Sequence, residues 1–290
     1  MGALFFALSS EAKPWIDALG AKPDKEQGHF RFYSTDEHFL AVTGTGKIQM
    51  ALAVAELAGK IPKEKRKGFR IWNLGIAGSA LPSQKRGDFF WIHKIKDFSR
   101  GFEFFPERLE TFSLSREAHL TTFDRPIASS RFSEIETPFL ILKEEEIERL
   151  ELIDMEGSGF FEAASIYFEL EQIQLGKIVS DHLEGKFCRP EDVSELMKIH
   201  LDSLLADFLK TNILRKEDVL SSSEKEFWQK EGEKLNFTKS MLVDLEKSIR
   251  YYKLRFPERE IPKPPSSSKE NPEKKDAKEM FCLWMSSLHV

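Results

Sequence analysis

IDMEGSGFFEAASIYFEL, residues 153–170, sets an ordinary helix behind an unusual entrance. Its second half spaces apolar residues as an amphipathic helix does. Its first half runs Asp154, Met155 and Glu156 straight into Gly157, Ser158 and Gly159. The segment before it, LELID, is short and apolar and reads as a strand. A strand that meets a helix through glycines and acids is a junction of an α/β chain, and the pattern recurs outward from here. ALFFAL, HFLAVTG, FRIWNLG, GDFFWIHKI and GKIVSD also read as strands. KIQMALAVAELAG from Lys47 reads as a helix closed by Gly59. RPEDVSELMKIHLDSLLADFL has an early proline and acids in its first turn, both suited to a helix N-terminus. Strands alternating with helices predict an α/β sandwich with a largely buried sheet.

Composition sets bounds. The chain has 290 residues, 41% hydrophobic, enough for one large domain or a domain with an appendage. Its formal charge is -5 and its basic residues are dispersed, which argues against nucleic acid as a partner. Cys188 and Cys282 lie far apart and read as reduced thiols, with no metal-ligand cluster. The N-terminal ALFFAL is too short to span a bilayer and lacks a basic flank, so it reads as a first strand; no membrane partner and a cytoplasmic location are expected.

Beyond about residue 213 the pattern changes. Residues 214–256 read as a helical extension with serine caps, 257–279 as a disordered proline-, serine- and charge-rich linker, and 280–290 as an apolar tail that docks on its own domain or a neighbour.

The acids cluster by position. Glu11 follows the first strand, Glu156 follows LELID, and Asp181 ends GKIVSD. In open α/β sheets ligands sit at the carboxyl ends of strands, where glycines let backbone N–H groups approach them. VTGTGK (residues 42–47) and the turn Gly75-Ile76-Ala77-Gly78 fit that description. GTGK is too short for a Walker loop. For Glu11 the plain alternative is a pair with Lys13.

TGTGK, NLGIAGSALPSQKRGDFFWI, IDMEG and VSDHLEGK, in this order, make residues 3–213 resemble the nucleoside phosphorylase and nucleosidase superfamily. The resemblance implies a three-layer α/β/α sandwich with a central mixed sheet, carrying the helical C-terminal extension. It implies a site without a cofactor or metal, and a closed homo-oligomer, a dimer or larger. Glu156 would hold the ribose hydroxyls and Met155 the sugar face. Asp181, oriented by Ser180, would protonate the leaving purine. Glu11 would activate water. Ile76, Ala77, Gly78 and Ile127 would also contact the substrate. Asp154 is expected to cap or pair. Asn73 and Ile76 stand where hexameric purine nucleoside phosphorylases carry phosphate ligands, which favours water as nucleophile; Arg86 or a neighbouring subunit is the alternative source of charge. Pro126 occupies the position of the family's base-stacking aromatic. Phe123, Phe160 and Phe187 are the other candidates, each read first as core. Glu184 is the nearest match to a second acid after the Ser-Asp motif.

The expected function is therefore cleavage of the N-glycosidic bond of a purine or 5'-modified purine nucleoside by hydrolysis. The alternatives are phosphorolysis, with phosphate as co-substrate, and a non-catalytic nucleoside-binding module.

Overall fold

A computed structural model describes residues 1–24, 28–107, 112–136, 138–210, 219–265 and 274–289. The chain divides into two compact units, Met1–Ile213 and Leu214–Val290.

The first unit alternates strands and helices. In order it contains β1 (Gly2–Phe6), α1 (Ser9–Leu19), β2 (Lys22–Pro23), β3 (Arg31–Ser34), β4 (His38–Val42), α2 (Lys47–Lys60), β5 (Arg70–Ser79), β6 (Phe89–Asp97) and β7 (Glu103–Phe104). There follow β8 (Glu117–Thr122), β9 (Ile127–Ser129), β10 (Leu140–Leu142), α3 (Glu144–Ile147), β11 (Leu152–Asp154), α4 (Gly157–Tyr167), β12 (Ile173–Asp181), α5 (Pro190–Ile199) and α6 (Leu201–Leu209).

The sheet is mixed, with strands in the order β11-β8-β6-β12-β5-β1-β4-β3-β2 and β7 paired to β6. β5 pairs in parallel with β1 and β12, while β12 and β6 are antiparallel. β11 pairs with both β8 and β5, so five strands close on themselves at one side of the sheet.

Burial on both faces explains the unbroken apolar runs. In β1, Ala3 and Phe5 join one core while Leu4 and Phe6 join the other, as a period of two requires. The first core takes Met50, Val54 and Leu57 from α2 and Phe160, Phe161 and Ala164 from α4. The second takes Ala12 and Trp15 from α1, Leu196 and Met197 from α5, and Leu204 and Phe208 from α6. This is the expected sandwich.

Several details differ from the sequence reading; the stretch from Pro190 to Leu209, read as one helix, is two, α5 and α6. The glycines Gly75 and Gly78 lie inside β5 rather than in a turn after it. They are glycines because side chains cross the strand there: an added Cβ would sit 2.7 Å from Glu11 Oε1 at Gly75 and 2.7 Å from Leu183 Cδ2 at Gly78. Helix α2 continues through Gly59 to Lys60, and the chain becomes extended at Ile61.

The second unit holds α7 (Ser222–Lys234), α8 (Lys239–Arg255) and α9 (Lys274–Leu288). Ser221 and Glu224 form a reciprocal cap on α7, and Thr238 caps α8. The apolar tail is a helix that packs within its own unit: Met280, Trp284 and Leu288 share a core with Leu245, Ile249 and Tyr252. Trp284 Nε1 donates to Pro262 O at 2.9 Å. The sequence boundary of the tail therefore moves: residues 274–279, assigned to a linker on charge, begin α9. Composition averages over their charges and misses the helical spacing that brings Ala277 and Met280 onto one face. Of the remaining linker, 266–273 lie outside the described residues. Among the described residues no helix is long and apolar enough to cross a membrane.

Candidate active site

The site forms where β1, β5, β11 and β12 end together. Glu11 lies in the first turn of α1, immediately after β1, and is 2% exposed. Its Oε2 accepts from Leu8 N at 2.8 Å and its Oε1 from Ile76 N at 2.9 Å. Burial raises its pKa, against these N–H donors and the Lys177 charge. Lys13 pairs instead with Asp17, so the alternative reading of Glu11 is removed.

Glu156 stands at the N-cap of α4, and its Oε1 accepts from Gly46 N at 2.8 Å. The GTGK turn thus serves the site through its backbone. Gly44 and Gly46 have positive φ, which presents that N–H. Burial and the neighbouring Asp154 charge push the Glu156 carboxyl up to about 7.

Asp154 caps and pairs, as its position predicts. It accepts from Thr122 Oγ1 and Gly157 N, each at 2.8 Å, and meets Lys177 Nζ at 2.9 Å. Lys177 was missed by sequence reasoning. It sits in mid-strand, 1% exposed, where burial alone would lower its pKa; Asp154 and Glu156 outweigh that and raise it. The available signal was a lysine within GKIVSD, because a cation in a buried strand requires a carboxylate partner.

Asp181 ends β12. Its Oδ1 accepts from Leu183 N at 2.9 Å, and Ser180 Oγ lies 2.6 Å from its Oδ2. Ser180 Oγ also lies 3.1 Å from Ala77 O. A hydroxyl has one proton. When Asp181 is protonated it donates to Ser180, which donates onward to Ala77, and both contacts are satisfied. Burial raises the Asp181 pKa, partly offset by the Ser180 and Leu183 bonds.

Glu11, Asp154, Glu156, Ser180 and Asp181 line one cavity with an empty volume of about 760 Å³, including its open side. Glu11, Ile76, Ala77 and Gly78 line one stretch of it. Met155, Glu156, Ser180, Asp181 and Ile127 complete the set expected from sequence. β5 supplies a ruler. Glu11 touches it at Gly75 and Asp181 approaches it at Gly78, three residues or about 10 Å along an extended strand. Both acids line the one cavity while approaching β5 at different positions, and Asp154, Lys177 and Glu11 all act electrostatically on Glu156.

Some candidates lie elsewhere. Asn73 Nδ2 donates to Phe5 O at 3.1 Å inside the sheet, and the Ile76 N–H is taken by Glu11. Arg86 faces Asp192 at 4.0 Å, and Glu184 accepts from His182 N at 2.7 Å. None of Asn73, Arg86 and Glu184 lines the cavity. Phe123 and Phe160 are core, 2% and 0% exposed. Phe187 is not core: it is 58% exposed and lines the cavity. Lys47 reaches away from the cavity to Asp97 at 3.1 Å and Asp124 at 2.8 Å. Asp97 is fully buried; burial opposes its ionisation, but Arg100, Lys47 and Ser99 hold its carboxyl well below the usual range.

No family model and no curated protein matches the sequence. Solved structures do match in three dimensions. The 5'-methylthioadenosine/S-adenosylhomocysteine nucleosidase of Helicobacter pylori superposes with a TM-score of 0.54 at 15% identity, covering 71% of this chain and 96% of that one. The fold is that of the nucleosidases. The Streptococcus pneumoniae MTA/SAH nucleosidase, solved with 8-aminoadenine, matches at 0.53 and 18% identity over 73% of this chain and 99% of its own. Futalosine hydrolase of Helicobacter pylori matches at 0.50 and 16% identity over 69% and 97%. At such identities the nucleosidase fold is what is shared, and the chemistry rests on the side chains of this cavity.

Proposed function

We propose that the chain hydrolyses the N-glycosidic bond of a purine or 5'-modified purine nucleoside. The observation that carries this reading is that Glu11, Glu156 and Asp181 line one cavity, with Glu11 and Asp181 approaching β5 three residues apart. Hydrolysis needs a water on one side of C1' and an acid on the other, beyond the base. Glu156 accepts from the ribose 2'- and 3'-hydroxyls, and Met155 packs on the sugar. As the bond from C1' to N9 lengthens, its electron pair moves onto the purine, and the Asp181 proton passes to N7. Glu11 takes a proton from the water whose oxygen joins C1'. Free base and ribose leave, and the proton gained at Glu11 replaces the one lost from Asp181 through solvent.

The buried settings suit these roles. An aspartate acts as an acid near neutral pH only if its pKa is raised, as burial does here. Glu11 must be ionised, which its N–H donors and Lys177 favour against burial.

Phosphorolysis is the second reading, since Arg125 lines the cavity and offers a charge for phosphate. A panel of purine nucleosides, incubated with and without phosphate, separates the readings. Ribose and free base without phosphate support hydrolysis. Ribose 1-phosphate supports phosphorolysis. Absence of free base from every nucleoside overturns both and leaves a binding module.

A further inference from the structure

We infer that Arg125 and Thr45 form an anion subsite beside the sugar, so that the preferred substrate is a purine nucleoside with an anionic 5'-substituent, a phosphate or a carboxylate. The inference rests on the nucleoside reading above.

Arg125 is exposed and lines the cavity together with four carboxylates, Glu11, Asp154, Glu156 and Asp181. Each of those acids has other partners. Glu11 accepts from Leu8 N and Ile76 N, Glu156 from Gly46 N and Asp181 from Leu183 N, while Asp154 meets Lys177. Arg125 forms no ion pair or hydrogen bond with any described residue. Lys186, a second cation on the cavity wall, is engaged by Glu134 at 3.1 Å. A guanidinium with all its donors unused matches a phosphate or carboxylate through two parallel bonds.

Thr45 supplies a second unused donor. It is exposed, lines the same cavity, and its hydroxyl has no partner among the described residues. The segments that carry the two residues are joined, because Lys47 Nζ meets Asp124 Oδ1 at 2.8 Å. The first turn of α2, which begins at Lys47, holds no acid, so the positive end of its dipole adds to the field there.

The sugar decides which anion this subsite serves. Gly46, next to Thr45, donates its N–H to Glu156. With Glu156 on the 2'- and 3'-hydroxyls, the ribose lies against the 44–46 turn, and its 5' carbon is the position left free to carry a group toward Thr45 and Arg125. The other source of the same chemistry is free phosphate attacking C1'. That dianion would stand beside the Glu11 carboxylate, which repels it.

Adenosine and inosine, each compared with its 5'-monophosphate and its 5'-carboxylate in phosphate-free buffer, test the inference. The wild type is expected to favour the anionic form in kcat/KM by about 10- to 100-fold, the range of a hydrogen-bonded charge pair. Arg125→Gln should bring that ratio close to unity, and Arg125→Lys, which keeps the charge without the fork, should leave part of it. Added salt should lower the wild-type ratio. Thr45→Val provides a second variant, expected to lower the ratio as well. Equilibrium dialysis of the 5'-monophosphate reads binding without turnover. A merely structural role for Arg125 would lower Tm and affect both forms equally, and that result overturns the inference. So does ribose 1-phosphate formed from the parent nucleoside with added phosphate and lost in Arg125→Gln, which assigns the residue to free phosphate. If the wild type releases base from both forms with no preference, the inference falls and the hydrolase reading stands. If the 5'-monophosphate binds through Arg125 and no form is cleaved, the inference stands and the hydrolase reading falls. If neither form binds, both fall.

Discussion

Asp181 carries the sharpest chemical test. Asp181→Asn keeps the size and the acceptor for Leu183 N but has no acidic proton, so kcat is expected to fall about 10²- to 10⁴-fold with nucleoside binding largely kept. The pH profile supplies an independent reading. In the proposed mechanism turnover needs Asp181 protonated and Glu11 ionised, and burial raises both groups. A bell-shaped kcat/KM profile is expected, with an acid limb from Glu11 and an alkaline limb from Asp181; any residual activity of Asp181→Asn should lack the alkaline limb. Glu156 invites a different measurement. Its folded value of about 7 lies above its ordinary 4.5. Ionising it in the folded protein therefore costs stability, a cost absent below about pH 4.5 and complete above about pH 7. Glu156→Gln is expected to raise Tm at pH 8 and leave it nearly unchanged at pH 4. The same variant should weaken ribonucleosides more than 2'-deoxyribonucleosides, since a bond to a charged acceptor is worth about 1.5–3 kcal/mol. Thermal scans at the two pH values and paired KM measurements check both parts.

Helices α2 and α4 meet so closely that one methyl group decides their spacing. A Cβ on Gly159 would sit 2.1 Å from the backbone oxygen of Lys47. This contact holds Gly46 N against Glu156 at the head of α4. Gly159→Ala should push the helices apart, at a cost of about 1–3 kcal/mol in overpacking, and stretch the Gly46–Glu156 bond. Both Tm and ribonucleoside affinity are expected to fall together. A variant that loses Tm alone would show that the helix junction and the ribose contact are independent. Beneath this junction Asp97 accepts from Lys47 in α2 and from Ser158 in α4, so one buried carboxylate ties both helix starts to the end of β6.

Every residue that lines the cavity belongs to the unit Met1–Ile213. The second unit has its own core, in which Trp284 is 1% exposed and fully enclosed by α7, α8 and α9 side chains and the 237–262 segment. Trp284→Ala should cost that unit about 3–5 kcal/mol and leave nucleoside turnover unchanged. Calorimetry is expected to show one transition lowered and the other unmoved, with activity unaffected. Removing residues from 257 onward takes α9 out of the same core, so the truncation should unfold the second unit rather than trim a loose end. Loss of turnover in Trp284→Ala would show that the site depends on the appended unit.

The strands β1, β4, β5, β6, β11 and β12, the helices α2 and α4, the alternation that predicts a sheet buried on both faces and the break near residue 213 are local patterns, legible in the sequence alone; the short strands β2, β3, β7, β8, β9 and β10, helix α1 and the break between α5 and α6 were not. Asp154 is an example: an acid three residues before the first turn of a helix has an N–H to accept from wherever the helix goes. What tertiary structure decided are pairings between remote segments. Lys177 finds Asp154 across the sheet, Gly46 finds Glu156 across a helix junction, and Phe139 meets Phe187 through loops with no periodic signal. The glycines of β5 read as a turn because permissive backbone and close packing leave the same mark in a sequence. The charged start of α9 read as linker because composition averages over a helix and misses its one buried face. Periodicity and turn chemistry are set by neighbours along the chain; side-chain partners are set by burial, which exists only once the chain has folded.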